Sequence, residues 1–247
     1  MEETTIRINK YLANLGICSR RDVKQLLHTH TLTVNGERIK EPGTRINPYK
    51  DDVKFNGNKI KAPELVYYLI NKPKGIISTT ADEFGRKNVL SLITTRHRLY
   101  PVGRLDKDTT GLLLLTNDGA LTNLLTHPKY HVDKVYALTI EGRATKEQLR
   151  ALRNGVLLED GITYPAEVKI VKENNMNSLL EMTIHEGRNR QIRRMCETVG
   201  VKLLELKRIK FGPINLDIKV WKYRELTKKE LNALRKATTK PKINANL

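Results

Sequence analysis

The 247-residue chain carries 45 Lys and Arg against 27 Asp and Glu, a net charge of +18, with 39% hydrophobic residues. That length suits one large domain or two unequal ones with a real core, and the short apolar runs exclude a bilayer-spanning helix. The charge surplus points to a polyanionic partner, because each neutralised phosphate releases counterions. An aromatic content of 5% argues against a stacking platform for single strands and favours shape and phosphate contacts.

The first residues, Met1 to Thr5, are acidic and polar, so no export signal is expected and the location is read as cytoplasmic. From Ile6 to Ala13 the spacing predicts a helix with Ile8, Leu12 and Leu15 on one face, ended by Gly16. Ser19 reads as the N-cap of a second helix from Arg20 to Leu27, with Val23, Leu26 and Leu27 inward. Alternation from Leu32 to Ile39 around Asn35-Gly36 predicts a hairpin, since both turn residues tolerate positive φ. Asp51 to Gly57 adds a strand and turn. A boundary is expected between Asn56 and Glu64, giving an N-terminal domain over residues 1–60 and a larger one over 64–237.

Beyond it, strands are predicted at Leu65 to Ile70, closed by Asn71-Lys72-Pro73-Lys74-Gly75, and at Leu112 to Thr116. Further strands follow at Tyr136 to Ile140, Val168 to Val171, Leu179 to Ile184 and Leu203 to Ile209. Capping-box patterns start helices after Thr145-Lys146-Glu147-Gln148 and Thr227-Lys228-Lys229-Glu230. Irregular mixing of strands and helices implies an α+β fold around a mainly antiparallel sheet. Residues 238–247 lack apolar periodicity and are expected to be disordered. Cys18 and Cys196 belong to no CxxC pair and read as small core residues.

Two segments carry chemistry. Gly103 to Gly111 is a polar loop between apolar strands, and its Asp106 stands between Arg104 and Lys107, charges that favour the ionised carboxylate. Such a carboxylate can act as a nucleophile, although the residues alone leave a turn or capping role open. In His185 to Cys196, Ile192, Met195, Cys196 and Val199 form one helical stripe, with Arg190, Arg194 and Glu197 opposite. Arg193 falls at the margin of that stripe, where a half-buried guanidinium calls for an anionic partner. The outward arginines suit either phosphate contacts or a solvated face.

The stretch GRLDKDTTGLLLLTNDG from Gly103 to Gly119 resembles the signature of the RsuA/RluB group of pseudouridine synthases. The run EGRNRQIRRM from Glu186 to Met195 resembles that group's second signature, in the arginine-rich form typical of enzymes acting on large-subunit ribosomal RNA. Ser19-Arg20-Arg21, Leu26-Leu27 and Val34-Asn35-Gly36 are similar in order to an S4 RNA-binding domain. The resemblance implies a small αα-β S4-like domain followed by a catalytic domain of pseudouridine synthase type. It makes Asp106 the nucleophile, Tyr136 in Lys134-Val135-Tyr136 the active-site tyrosine, and Arg193 the basic residue paired with the nucleophile. RNA contacts are then expected from Arg104, Arg188, Arg190 and Arg194, and from Lys10, Arg20, Arg21, Lys24 and Asn35 in the S4-like part. One departure is His30, where an S4 domain usually closes its second helix with glycine, so a left-handed residue there would be strained.

The implied reaction flips a uridine into the pocket, with Tyr136 stacking on the base and Arg193 holding Asp106 ionised. Asp106 attacks the ribose C1′ or assists its deprotonation, and the sequence leaves both open. The expected partner is ribosomal RNA, 23S or alternatively 16S, naked or in a precursor particle, bound by a monomer without a membrane, cofactor or metal. Two other classes compete: a non-catalytic RNA-binding assembly factor, and a nuclease holding magnesium with Asp106, Asp108 and Asp118, which Arg104 and Lys107 would oppose.

Overall fold

The structure is a computed structural model that describes residues 5–48, 50–60, 64–80 and 85–238. Two compact units emerge: Met1–Val66 with Arg96–Arg98 and Asn117–Gly119, and Tyr67–Thr95 with Leu99–Thr116 and Ala120–Leu247.

In the first unit, β1 (Ile6–Arg7) precedes α1 (Ile8–Asn14) and pairs antiparallel with β4 (Arg45–Ile46), so Ile6 and Arg7 are strand rather than helix. The first helix ends as expected. Gly16, at φ +75°, donates to the Ala13 carbonyl and Ile17 to the Leu12 carbonyl, both at 3.1 Å, which satisfies two orphan acceptors. The second helix, α2 (Val23–Thr29), starts three residues later than predicted. Asp22 N–H donates to both the carbonyl and the hydroxyl of Ser19, closing a turn over Arg20 and Arg21 before helical bonding begins at Leu26 N–H to Asp22 O.

His30 is extended (φ −132°, ψ 160°) and stacks on Phe55 at 5.1 Å, so the strained left-handed cap is not formed. The chain runs directly into a four-stranded antiparallel sheet made of β2 (Leu32–Val34), β3 (Glu37–Arg38), β5 (Val53–Phe55) and β6 (Asn58–Lys59), ordered β3-β2-β5-β6. Asn35-Gly36 and Asn56-Gly57 turn its hairpins with all four φ positive. Ile8, Leu12, Cys18, Val23, Leu27, Leu32, Ile46 and Val53 form the core of this unit.

The second unit is organised by a nine-stranded sheet. Its spine, in spatial order, is β13-β14-β10-β15-β9-β7-β17, with β8 added on β9 and β16 on β15. In chain order these are β7 (Tyr67–Lys72), β8 (Tyr100–Pro101), β9 (Thr110–Thr116), β10 (Lys134–Glu141), β13 (Glu167–Lys172), β14 (Asn177–Ile184), β15 (Leu203–Phe211), β16 (Ile214–Asn215) and β17 (Tyr223–Glu225). All pairings are antiparallel except β9 with β15. A separate hairpin, β11 (Leu157–Leu158) with β12 (Gly161–Ile162), stands off the sheet.

The helices are α3 (Gly119–Thr126), α4 (Lys146–Asn154), α5 (Gln191–Thr198) and α6 (Lys228–Ala237). Both predicted capping boxes are present, at Thr145/Gln148 and Thr227/Glu230. Strand β7 lies two residues beyond its predicted span. Leu65 is 47% exposed, while the polar Asn71 and Lys72 are buried in the strand because their side chains donate to backbone carbonyls. Leu69, Leu112, Leu114, Leu121, Leu125, Phe211 and Leu234 pack one core cluster of the unit. Thr238 is buried, and its hydroxyl donates to the Arg235 carbonyl at the end of α6; the tail expected to be disordered otherwise lies outside the described residues.

Candidate active site

The loop between β8 and β9 is pinned on either side of Asp106. Before it, the Leu105 N–H donates to Ser78 Oγ at 3.2 Å, and Ser78 Oγ donates back to the Leu105 carbonyl at 2.8 Å. After it, the Lys107 carbonyl accepts from the Gly75 N–H at 2.9 Å and from Lys72 Nζ at 3.3 Å. Thr109 N–H closes the turn onto the Asp106 carbonyl. Buried Lys72 also donates to the carbonyls of Pro73 and Ile76. Desolvation pulls its pKa down to about 8, against the attraction of Asp108 and Asp106. Ser78 and Lys72 are supports of the Asp106 loop that sequence reading missed. The signal was the Asn71-to-Gly75 segment, read only as the end of a strand.

Asp106 lines a cleft of about 430 Å³, within the size range of small-ligand sites. Tyr136 of β10 and Arg208 of β15 stand in register on adjacent strands and share the wall with Ile184, Leu206 and Phe211. Lys134 lines it too, donating to the carbonyls of Val132, His185 and Glu186. Burial first, and Arg208 second, lower the Lys134 pKa to about 8. At the rim, Arg104 and Arg190 are exposed, and neither side chain has a hydrogen bond or ion pair among the described residues.

The other arginines of the second segment are committed elsewhere. Arg188 donates Nε to Glu186 at 2.9 Å and its terminal nitrogens to the carbonyls of Asp160, Gly161 and Ile162. Arg194 forms a bidentate pair with Asp160, both bonds at 3.0 Å. These two anchor the β11/β12 hairpin, so neither guanidinium is free for a phosphate in this arrangement. Glu186 also accepts from Gln191 Nε2 at 2.7 Å and from the Tyr164 N–H, which ties the start of α5 to the same hairpin.

Arg193 is half-buried, as its place on the helix predicted, but its partner differs. Its Nη2 donates to the Asp108 carbonyl at 3.2 Å and to Thr109 Oγ1 at 3.4 Å, and it makes no ion pair with Asp106 among the described residues. It therefore braces the downstream limb of the loop. Cys196, beneath it, is a core thiol whose pKa burial pushes up to about 12.

In the first unit, Lys10, Arg20, Arg21 and Lys24 are exposed. Asn35 is not free: its Nδ2 donates to Asp51 Oδ1 at 3.1 Å, and its Oδ1 accepts from the Asp52 N–H at 2.8 Å. Among the described residues, no group of three or more His, Cys, Asp or Glu is placed to hold a metal ion, and no helix is long and apolar enough to cross a membrane.

Residues 66–198, which contain the pinned loop, the cleft tyrosine and α5, match the family model of RNA pseudouridylate synthase. The chain belongs to that family. As an RNA pseudouridine synthase it also carries an S4 domain, matched over residues 6–52. It is 42% identical to the ribosomal large subunit pseudouridine synthase B of Bacillus subtilis (strain 168), over 93% of this chain and 95% of that one. An uncharacterized RNA pseudouridine synthase of Aquifex aeolicus (strain VF5) is 40% identical over 94% of both. Among solved structures, a crystal structure of a pseudouridylate synthase superposes with a TM-score of 0.67 at 31% identity, covering 93% of this chain and 99% of that chain.

Proposed function

We propose that this synthase isomerises a uridine of large-subunit ribosomal RNA to pseudouridine in the cytoplasm, as a monomer, with Asp106 acting on the ribose. The observation that carries the reading is the pinned placement of Asp106 on the wall of an apolar-lined cleft shared with Tyr136. The large-subunit target is supported by the name of the Bacillus subtilis relative, together with the arginine-rich second signature.

The target base cannot be reached while stacked, so it flips into the cleft and lies against the Tyr136 ring. Asp106 attacks C1′ or assists deprotonation of the ribose at the carbon next to C1′; in either case the C1′–N1 bond breaks and the uracil departs with the bonding pair. The ring turns and C5 bonds to C1′, as the Asp106 carboxylate leaves C1′ on the first route or returns the ribose proton on the second; the C5 proton passes to solvent and N1 takes up a proton. Atoms and charge balance without a redox partner. Arg193 contributes by holding the Asp108–Thr109 limb of the loop, which fixes where the carboxylate sits. Exposed Arg104 and Arg190 meet the backbone phosphates, and the exposed Lys10, Arg20, Arg21 and Lys24 of the S4 domain add affinity.

Tritium release from ribosomal RNA labelled at uracil C5 tests this directly. Wild type should release label, and Asp106→Asn should release none while keeping its RNA affinity. Absence of release from both subunits' RNA, naked or in precursor particles, would replace the reading with that of a binding protein. Release from 16S alone would move the target to the small subunit.

A further inference from the structure

Arg208 is the second unit's least explained charge. It is 2% exposed, yet among the described residues only its Nε has an acceptor, the Leu112 carbonyl at 2.8 Å, and its Nη2 is buried without a partner there. A guanidinium offers five N–H donors, and burying that charge without a counter-ion costs several kcal/mol, on the order seen for other unpaired buried ions. The Phe211 ring, 5.1 Å from the guanidinium carbon, offsets only part of this. Other arginines hold more acceptors: Arg153 places two nitrogens on one carbonyl, Arg188 meets a carboxylate and three carbonyls, and Arg194, whose Nε is also buried without a partner, has both terminal nitrogens on Asp160.

Its position says what the missing partner is. Arg208 lines the cleft, directly opposite Tyr136 in the β10–β15 register, so the two side chains leave the same face of the sheet. Neighbouring Lys134 has its ammonium on three carbonyls, which leaves Arg208 as the buried lining cation with donors to spare, in contrast to the exposed Arg104 and Arg190. The surrounding wall of Ile184, Leu206, Phe211 and Tyr136 is apolar and suits a planar, delocalised anion. A phosphate, heavily hydrated and needing several donors, fits the exposed rim arginines better.

We infer that Arg208 is a further catalytic residue, which hydrogen-bonds the uracil ring as it detaches and stabilises the negative charge the ring then carries. This rests on the isomerase reading above. When C1′–N1 breaks, the ring keeps the electron pair, delocalised onto O2 and O4, and a preorganised donor in an apolar wall binds that anion better than the neutral base. When C5 bonds to C1′ the charge is consumed, and the donor releases its hold. No proton leaves Arg208.

The test compares wild type, Arg208→Met and Arg208→Lys in single-turnover reactions at saturating ribosomal RNA, with uridine or 5-fluorouridine at the target and loss of the parent nucleoside read by chromatography, because the fluorinated ring has no C5 proton to shed and stops after C5 bonds to C1′. Fluorine makes the departing ring a weaker base, so it needs less help from a donor. Arg208→Met should lose about 100-fold in rate on uridine, the scale of one oxyanion donor, and tenfold or less on 5-fluorouridine, with RNA affinity within threefold of wild type. Arg208→Lys should fall between. Should Arg208→Met fail to fold, Arg208→Gln, whose amide can still donate to Leu112 O, supplies the same ratio. Equal losses on both substrates would mark Arg208 as structural, and a loss confined to affinity and its salt dependence would mark a phosphate contact; either overturns the inference. An inactive wild type would instead sink the isomerase reading itself.

Discussion

Gly111 and Arg208 meet backbone to backbone where β9 and β15 run parallel, and a Cβ built on Gly111 would overlap the Arg208 carbonyl oxygen. The glycine also sits at φ +103°, a conformation other residues rarely adopt. The middle glycine of the first signature is thus needed for the strand junction that carries the cleft wall. Gly111→Ala is expected to destabilise the protein by about 3 kcal/mol or more, since both the overlap and the backbone strain must be relieved by moving a buried strand. Denaturant unfolding measures it. A loss below about 1 kcal/mol would mean that the two strands separate easily.

Arg193 donates to the loop just beyond Asp106, at the Asp108 carbonyl and Thr109 Oγ1, and makes no ion pair with Asp106 among the described residues. Its removal should therefore disturb placement more than RNA binding. Arg193→Met is expected to lower kcat about 100-fold, the scale of a misplacement near 1 Å, with RNA affinity within threefold of wild type. Arg193→Lys, which can reach one of the two acceptors, should recover part of the rate. If affinity falls in step with kcat, Arg193 serves the RNA and not the loop.

The four arginines first grouped as RNA contacts divide by what they already hold. Arg104 and Arg190 are exposed, with side chains that have no partner among the described residues, whereas Arg188 and Arg194 fasten the hairpin. Replacing Arg104 or Arg190 with Ala should weaken RNA binding and reduce the slope of log K against log salt by about 1 each. Arg194→Ala should leave the slope unchanged and lower the melting temperature instead. Filter binding across a salt series, paired with thermal melts, separates the two classes, and a flattened slope in Arg194→Ala would erase the distinction.

Much of this was legible because it is local. Capping boxes at Thr145 and Thr227, the two Asn-Gly turns and the alternating strands each depend on residues a few positions apart, which the sequence displays directly. The loop carrying Asp106 stood out for the same reason. What escaped depends on distant partners. Asp160, which claims Arg194, lies 34 residues earlier, and Leu112, which claims Arg208, lies 96 residues away. Asn71 and Lys72 look like the polar end of a strand because hydropathy cannot register a buried amine wrapped by carbonyls. The second helix began late because Ser19 satisfies its hydrogen bond in a turn that helical spacing does not reveal.

Acid stability should report on the junction of β17 and α6. Arg224 spans Asp217 and Glu230, donating to both oxygens of each carboxylate at 2.7–3.0 Å, and Glu230 also accepts the Thr227 N–H as part of the capping box. Its bonds to Arg224, ahead of the cap, lower the Glu230 pKa from 4.5 to about 2. A carboxyl whose pKa falls on folding is protonated more readily in the unfolded chain. The stabilisation is therefore complete above pH 4.5 and is lost as the pH falls towards 2. Because the pair is partly solvated, its contribution at neutral pH is about 1 kcal/mol. Glu230→Gln should remove it at pH 7 and converge with wild type near pH 2, as read from urea unfolding over that range. A constant gap between the two at every pH would assign the effect to the cap, leaving the Arg224 pair with no measurable share.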